Sequence, residues 1–68
     1  MIVAVNGTAT EIAEGATVAA VLVHLNLPSA ARGVAVALQG EVVPRAQWVS
    51  VAVRDGDRIE VVGAIQGG

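Results

Sequence analysis

Cysteine is absent from this 68-residue sequence, which excludes a disulfide staple, a thiolate metal site and a cysteine nucleophile, and fits a reducing compartment. Lysine is absent too, the four basic residues all being arginine. No side chain could therefore accept an isopeptide bond. The chain could be joined to others through its C-terminal carboxyl, but could not be built into lysine-linked chains of itself. There is no Phe or Tyr, Trp48 is the single aromatic of the Phe/Tyr/Trp set, and the net charge is −2 with no basic cluster. Nucleic-acid binding normally needs a basic patch with stacking rings, so it is not expected. No apolar run approaches the roughly 20 residues of a membrane span. The N-terminal stretch has no basic region and is broken at Asn6-Gly7, so it does not read as a signal peptide. The cytoplasm is the expected location, with no membrane partner.

What remains is 54% apolar, too hydrophobic for ordinary disorder, and most of it is Val and Ala. At this length one small domain is expected, burying only about 60% of its unfolded surface. Its core must be assembled from many small, stiff side chains, and Val favours strands.

Val3-Ala4-Val5, Asn6-Gly7 and Thr8 to Ile12 predict an opening β-hairpin, because Asn-Gly suits the two positive φ angles of a type I′ turn. After a break at Ala13-Glu14-Gly15 the period changes. Val18, Val21, Leu22 and Leu25 fall on one face of a helix capped by Thr17 and closed by Asn26 and Pro28, ending at about Leu25 to Leu27. His24 lies beside that apolar stripe. With no cysteine and no second histidine, a surface or structural role is expected for it rather than a metal site. Ser29 to Arg32 is a connector, and Gly33 to Leu38 reads as a central strand lying under the helix. Gln39-Gly40 is a turn, and Glu41-Val42-Val43 is the return arm, stopped by Pro44. Arg45 to Trp48 reads as a short helical loop, with Trp48 plugging one end of the core. Val49 to Val53 alternates and fits either a strand or an extended segment beside the sheet. Arg54-Asp55-Gly56-Asp57 is a turn. Arg58 to Val62 is a last strand, with Ile59 and Val61 inward and Arg58, Glu60 and Val62 outward.

The order is hairpin, helix, hairpin, connector, strand. It predicts an α+β domain: a mixed sheet of four to five strands with one main helix packed on one face. If the first and last strands lie side by side at the sheet centre they run parallel, the β-grasp arrangement.

The end of the sequence, Ala64-Ile65-Gln66-Gly67-Gly68, carries the chemistry that the rest lacks. The six residues from Gly63 to Gly68 reach about 20 Å when extended at ~3.3 Å each, enough to thread a carboxylate into another protein's buried site. Glycine without Cβ passes a narrow channel and leaves its carbonyl carbon open to attack. A carboxylate reacts with nucleophiles only once its oxygen is a good leaving group, which ATP can supply by adenylation. The sequence has no phosphate loop, metal ligands or base of its own, so an external enzyme would bind ATP and Mg²⁺. Sulfur attack would then give a thiocarboxylate, and amine attack an isopeptide.

Val43-Pro44-Arg45-Ala46-Gln47-Trp48, Asp55-Gly56-Asp57-Arg58-Ile59 and terminal Gly67-Gly68, with Asn6 after the first strand and Thr17-Val18 opening the helix, resemble the ThiS family of bacterial thiamine biosynthesis. The resemblance spans essentially the whole chain. It implies a ubiquitin-like β-grasp domain over 1–63 and a flexible tail over 64–68. It further implies a sulfur carrier rather than an enzyme, with no cofactor of its own. Gly68, matching the family's terminal glycine, would be adenylated by an E1-like adenylyltransferase using ATP and Mg²⁺ and converted to a thiocarboxylate, its sulfur drawn from cysteine through a desulfurase. Thiazole synthase would receive the sulfur. Gly67, Gln66, Ile65 and, at the tail's root, Val62 would be the segment that partners grip. The sequence departs from the family pattern at Gln39-Gly40, where Asn is frequent, and at Val61-Val62-Gly63, where bulkier residues are frequent. A molybdopterin-synthase-type sulfur carrier and a ubiquitin-like protein modifier share the Gly-Gly end and stand as alternatives.

Overall fold

The computed structural model describes residues 1–27 and 33–63. Pro28, the connector Ser29 to Arg32 and the expected tail 64–68 lie outside the described residues. The elements are β1 (Ile2–Val5), β2 (Thr8–Glu11), α1 (Val18–His24), β3 (Ala35–Leu38), β4 (Glu41–Val43), a 3₁₀ turn (Arg45–Gln47) and β5 (Arg58–Val62).

Both hairpins follow from their turns. Asn6 and Gly7 have φ of 50° and 84°, and Gln39 and Gly40 have 53° and 84°, the paired positive values of type I′ turns, whose twist matches that of the flanking strands. The five strands form one sheet in the order β2-β1-β5-β3-β4. β5 pairs in parallel with β1, with Ala4 opposite Arg58 and Val5 opposite Ile59. It pairs antiparallel with β3, from Leu38 opposite Ile59 to Ala35 opposite Val62. The last strand of the chain is therefore the middle strand of the sheet, with first and last strands parallel as the element order predicted. β3, expected to be central, is internal but one place off centre.

Helix α1 is short, and both its ends are capped. At the start, Ala20 N donates to Thr17 Oγ1 at 3.3 Å, Val18 N to the Val51 carbonyl at 3.0 Å and Ala19 N to the Trp48 carbonyl at 2.9 Å. Three of the N–H groups that a helix start leaves without an intrahelical partner are thus satisfied. At the other end Asn26 sits at φ 64°. Asn26 N reaches the Val23 carbonyl at 2.9 Å and Leu27 N the Leu22 carbonyl at 2.8 Å, a Schellman closure with Asn where Gly is usual. The helix consequently stops at His24, a residue earlier than the apolar spacing suggests, and His24 is exposed.

The Val49 to Val53 segment resolves as the partner of the helix start rather than as a strand. The Val51 carbonyl caps α1, Val53 N donates to the Ala16 carbonyl at 2.9 Å, and a single bridge joins Ala52 to Thr17. The core between helix and sheet is mostly valine: Val3, Val5, Val36, Val43, Ile59 and Val61 from the strands meet Val18, Val21 and Leu22 of α1, with Trp48 and Val53 closing one end.

Candidate functional site

The site is built at the C-terminal end of β5, where the described chain stops. Strand alternation places Ile59 and Val61 in the core and turns Arg58, Glu60 and Val62 to the uncovered face of the sheet. Val62 is 67% exposed there. Its register partner Ala35 lies beside it, and Val42 of β4, paired with Ala37, is another exposed apolar side chain on that face. Of the residues expected to act, Val62 is thus placed at the root of the tail on an open, small-residue surface. Ile65, Gln66, Gly67 and Gly68 lie outside the described residues.

Gly63 follows Val62 in close backbone contact. A Cβ built on it would lie 2.5 Å from the Gly33 carbonyl oxygen and 2.8 Å from Val34 Cα. Both are main-chain atoms that cannot rotate away, so only glycine fits. On the other side of β5 the Asn6 side chain makes two bonds to one residue: Oδ1 accepts from Val61 N at 2.8 Å, and Nδ2 donates to the Val61 carbonyl at 3.1 Å. Sequence reasoning gave Asn6 a turn role and a place in the family resemblance, but no bond to β5. The usable signal for Gly63 was a glycine at a strand's end, which often marks a close approach of backbone to backbone.

The two motif blocks upstream are structural clasps. Pro44 ends β4, the Arg45 guanidinium stacks 4.7 Å from the Trp48 ring centroid, and Trp48, 2% exposed, donates from Nε1 to the Val43 carbonyl at 2.9 Å. In the Asp-Gly-Asp turn, Asp55 Oδ1 accepts from Ile2 N at 2.8 Å and Asp57 Oδ2 from Arg54 N at 2.8 Å. The Asp57 carbonyl accepts from Ala4 N at 2.9 Å. This turn ties the start of β1 to the start of β5. Among the described residues no three His, Asp or Glu side chains converge as a metal site, and no helix is long and apolar enough to cross a membrane.

A mixed five-stranded sheet, parallel at its centre and crossed by one helix, with its last strand leading into a glycine-ended segment, is the ubiquitin-like β-grasp architecture. The ThiS family model matches residues 3–68, and the chain belongs to that family. It is 40% identical over 63 residues to the sulfur carrier protein ThiS of Escherichia coli, covering 93% of this chain and 92% of that protein. It is 41% identical over 64 residues to a thiazole synthase of Paramagnetospirillum magneticum; there the match covers 94% of this chain but only 19% of the longer protein. Among solved structures, the crystal structure of the thiamine biosynthesis protein ThiS from Geobacter metallireducens superposes with a TM-score of 0.81 at 34% identity, covering all of both chains. A solution structure of a thiamine biosynthesis protein from the same organism gives 0.76 at 33% identity, over 91% of this chain and 81% of that one.

Proposed function

We propose that this chain is the sulfur carrier for thiazole formation in thiamine biosynthesis, with Gly68 as the residue that bears the sulfur. The observation that carries this reading is the 40% identity, over nearly the full length of both chains, to a protein named as a sulfur carrier. Thiazole synthase is the acceptor. That partner is supported by the thiazole synthase relative, in which a carrier-like sequence occupies about a fifth of one polypeptide (19%).

The chemistry needs help from outside. The Gly68 carboxylate oxygen attacks the α-phosphorus of ATP, pyrophosphate leaves, and the acyl-adenylate forms in an E1-like enzyme that supplies Mg²⁺ and charge stabilisation. The terminal sulfur of a persulfide, drawn from cysteine by a desulfurase, then attacks the carbonyl carbon, the bond to the AMP oxygen breaks and AMP leaves. A thiol attacks the inner sulfur of the resulting acyl disulfide, and the thiocarboxylate departs while the thiol and the desulfurase sulfur are left as a disulfide. The domain's part is presentation: Gly67 keeps the approach slim, Ile65 and Gln66 are gripped along the activating enzyme's channel, and Val62 meets the partner at the root.

Complementation tests this. In a strain whose own thiamine sulfur carrier is deleted, the chain restores growth without thiamine and a chain ending at Gly67 does not. Growth restored equally by both would reject the proposal. Rescue of a molybdopterin defect instead would assign the chain to the other sulfur-carrier pathway.

A further inference from the structure

The parallel ladder between β1 and β5 stops early because the first hairpin turns the chain away from β5. Ala4 N donates to the Asp57 carbonyl and Asn6 N to the Ile59 carbonyl, both at 2.9 Å. Continued by the same rule, the Val61 N–H would donate to the carbonyl of residue 6, and the Val61 carbonyl would accept from the N–H of residue 8. Neither main-chain group is in place, since Asn6 takes φ 50° and Thr8 pairs back with Val5. The Asn6 side-chain amide stands in for both, accepting from Val61 N at 2.8 Å and donating to the Val61 carbonyl at 3.1 Å. One side chain thus extends the ladder by a full residue pair at the place where β5 becomes the tail. On the opposite side of the strand, Gly63 is wedged against the Gly33 carbonyl and Val34 Cα.

We infer that Asn6, together with the Gly63 contact, is a positioning residue for the carrier reaction: it holds the last residues of β5 fixed and so sets the direction in which the reactive end leaves the domain. This rests on the sulfur-carrier reading above. Without the amide, Val61 to Gly63 is held from the β3 side alone. The strand end frays, and the terminus reaches the activating site in fewer productive orientations although the docking face is unchanged.

Gln39 provides a matched control. It occupies the first central position of the other type I′ turn at φ 53°, and its Oε1 accepts from Arg58 N at 2.6 Å, at the opposite end of β5 from the tail. Glycine at either position keeps the turn, because it adopts positive φ freely, and deletes only the amide. The test compares Asn6→Gly, Gln39→Gly and the parent chain, at a temperature where all three are fully folded by circular dichroism. Thiocarboxylate formation is followed by mass with an E1-like adenylyltransferase, ATP, Mg²⁺ and hydrosulfide, and amide exchange is read at Val61 and Arg58. Asn6→Gly should lower kcat about tenfold with KM within about twofold, the signature of lost orientation rather than lost binding, and should quicken exchange at Val61. Gln39→Gly should quicken exchange at Arg58 and keep the parent kcat. Equal slowing by both variants, or an unchanged kcat in Asn6→Gly despite faster Val61 exchange, overturns the inference. If Asn6→Gly does not fold, Asn6→Asp carries the same test: it keeps the acceptor for Val61 N and loses the donor to the Val61 carbonyl, so its kcat should fall below that of the parent, and a kcat equal to the parent's overturns the inference. A parent chain that is never converted rejects the sulfur-carrier reading. The Val61 exchange then still decides by itself whether Asn6 holds the strand end.

Discussion

Replacing Trp48 by Phe should remove a large share of the domain's stability without touching its chemistry. Trp48 is the largest of the fully buried side chains. Its Nε1–H is given to the Val43 carbonyl at 2.9 Å, and phenylalanine offers no donor there. Leaving a buried carbonyl short of its partner costs about 1–3 kcal/mol. The smaller ring also opens a void of roughly 30–40 Å³, which at ~24 cal/mol per Å³ adds about 1 kcal/mol. The Arg45 stacking contact, 4.7 Å to the ring centroid, weakens by a few tenths, since Trp is the best cation–π partner. The sum is about 2–4 kcal/mol. At ~0.05–0.15 kcal/mol per residue, a chain of 68 residues has about 3–10 kcal/mol in all. Because Trp48 is the only tryptophan, its fluorescence vanishes with the substitution, so the measurement is urea unfolding followed by far-UV circular dichroism. The midpoint should fall at constant m, with Tm lower by about 10–30 °C. A loss below about 0.5 kcal/mol, the range of surface substitutions, would refute the assignment of the indole as both plug and donor.

Gly63→Ala should cost about 1–3 kcal/mol in the same titration, as overpacking does, because its Cβ would meet the Gly33 carbonyl at 2.5 Å; no loss would mean that the backbones do not approach so closely. Thr17→Ala should cost about 0.5–1 kcal/mol, at the low end for a cap, since the bond is long at 3.3 Å and the Val51 and Trp48 carbonyls still hold Val18 N and Ala19 N. A loss well above about 2 kcal/mol would contradict that sharing. Val62→Lys, at a position 67% exposed, should leave stability within about 0.5 kcal/mol yet reduce kcat/KM for thiocarboxylate formation; an unchanged kcat/KM would remove Val62 from the partner contact.

The local elements were legible because each is decided by a few neighbouring residues. Asn6-Gly7 specifies its turn through the φ preferences of both residues and Gln39-Gly40 through its glycine, and Thr17 with the Val18, Val21, Leu22 spacing specifies the helix. Long-range pairing was legible only as an arrangement compatible with the element order, since nothing within Val3-Ala4-Val5 names Ile59 as its neighbour. The Val49 to Val53 alternation was ambiguous for a physical reason. A segment crossing a helix start also buries alternate residues, here Val53 fully and Val51 in part, while its backbone bonds to Val18 N and the Ala16 carbonyl are ones that periodicity cannot register.

The candidate site divides in the same way. Exposure of Val62 follows from strand alternation, whereas for Gly63 the sequence showed only that it ends the strand and not the close backbone contact. The pair of hydrogen bonds between the Asn6 amide and Val61 was hidden, because the turn already gave a sufficient reason for asparagine there. The motif blocks that carry the family resemblance, Val43 to Trp48 and Asp55 to Ile59, hold the fold together: Trp48 clasps Val43, and Asp55 ties Ile2. They identify the scaffold, and in the proposed function the chemistry falls to the residues beyond it.

The most direct test of the account is the intact mass of the chain after incubation with an E1-like adenylyltransferase, ATP, Mg²⁺ and a sulfur donor, followed by fragmentation to locate any change. The account predicts exchange of one oxygen for sulfur, mapped to the Gly68 carboxyl and dependent on ATP. An unchanged mass, or recovery of the chain only as branched conjugates through an isopeptide bond, would contradict it.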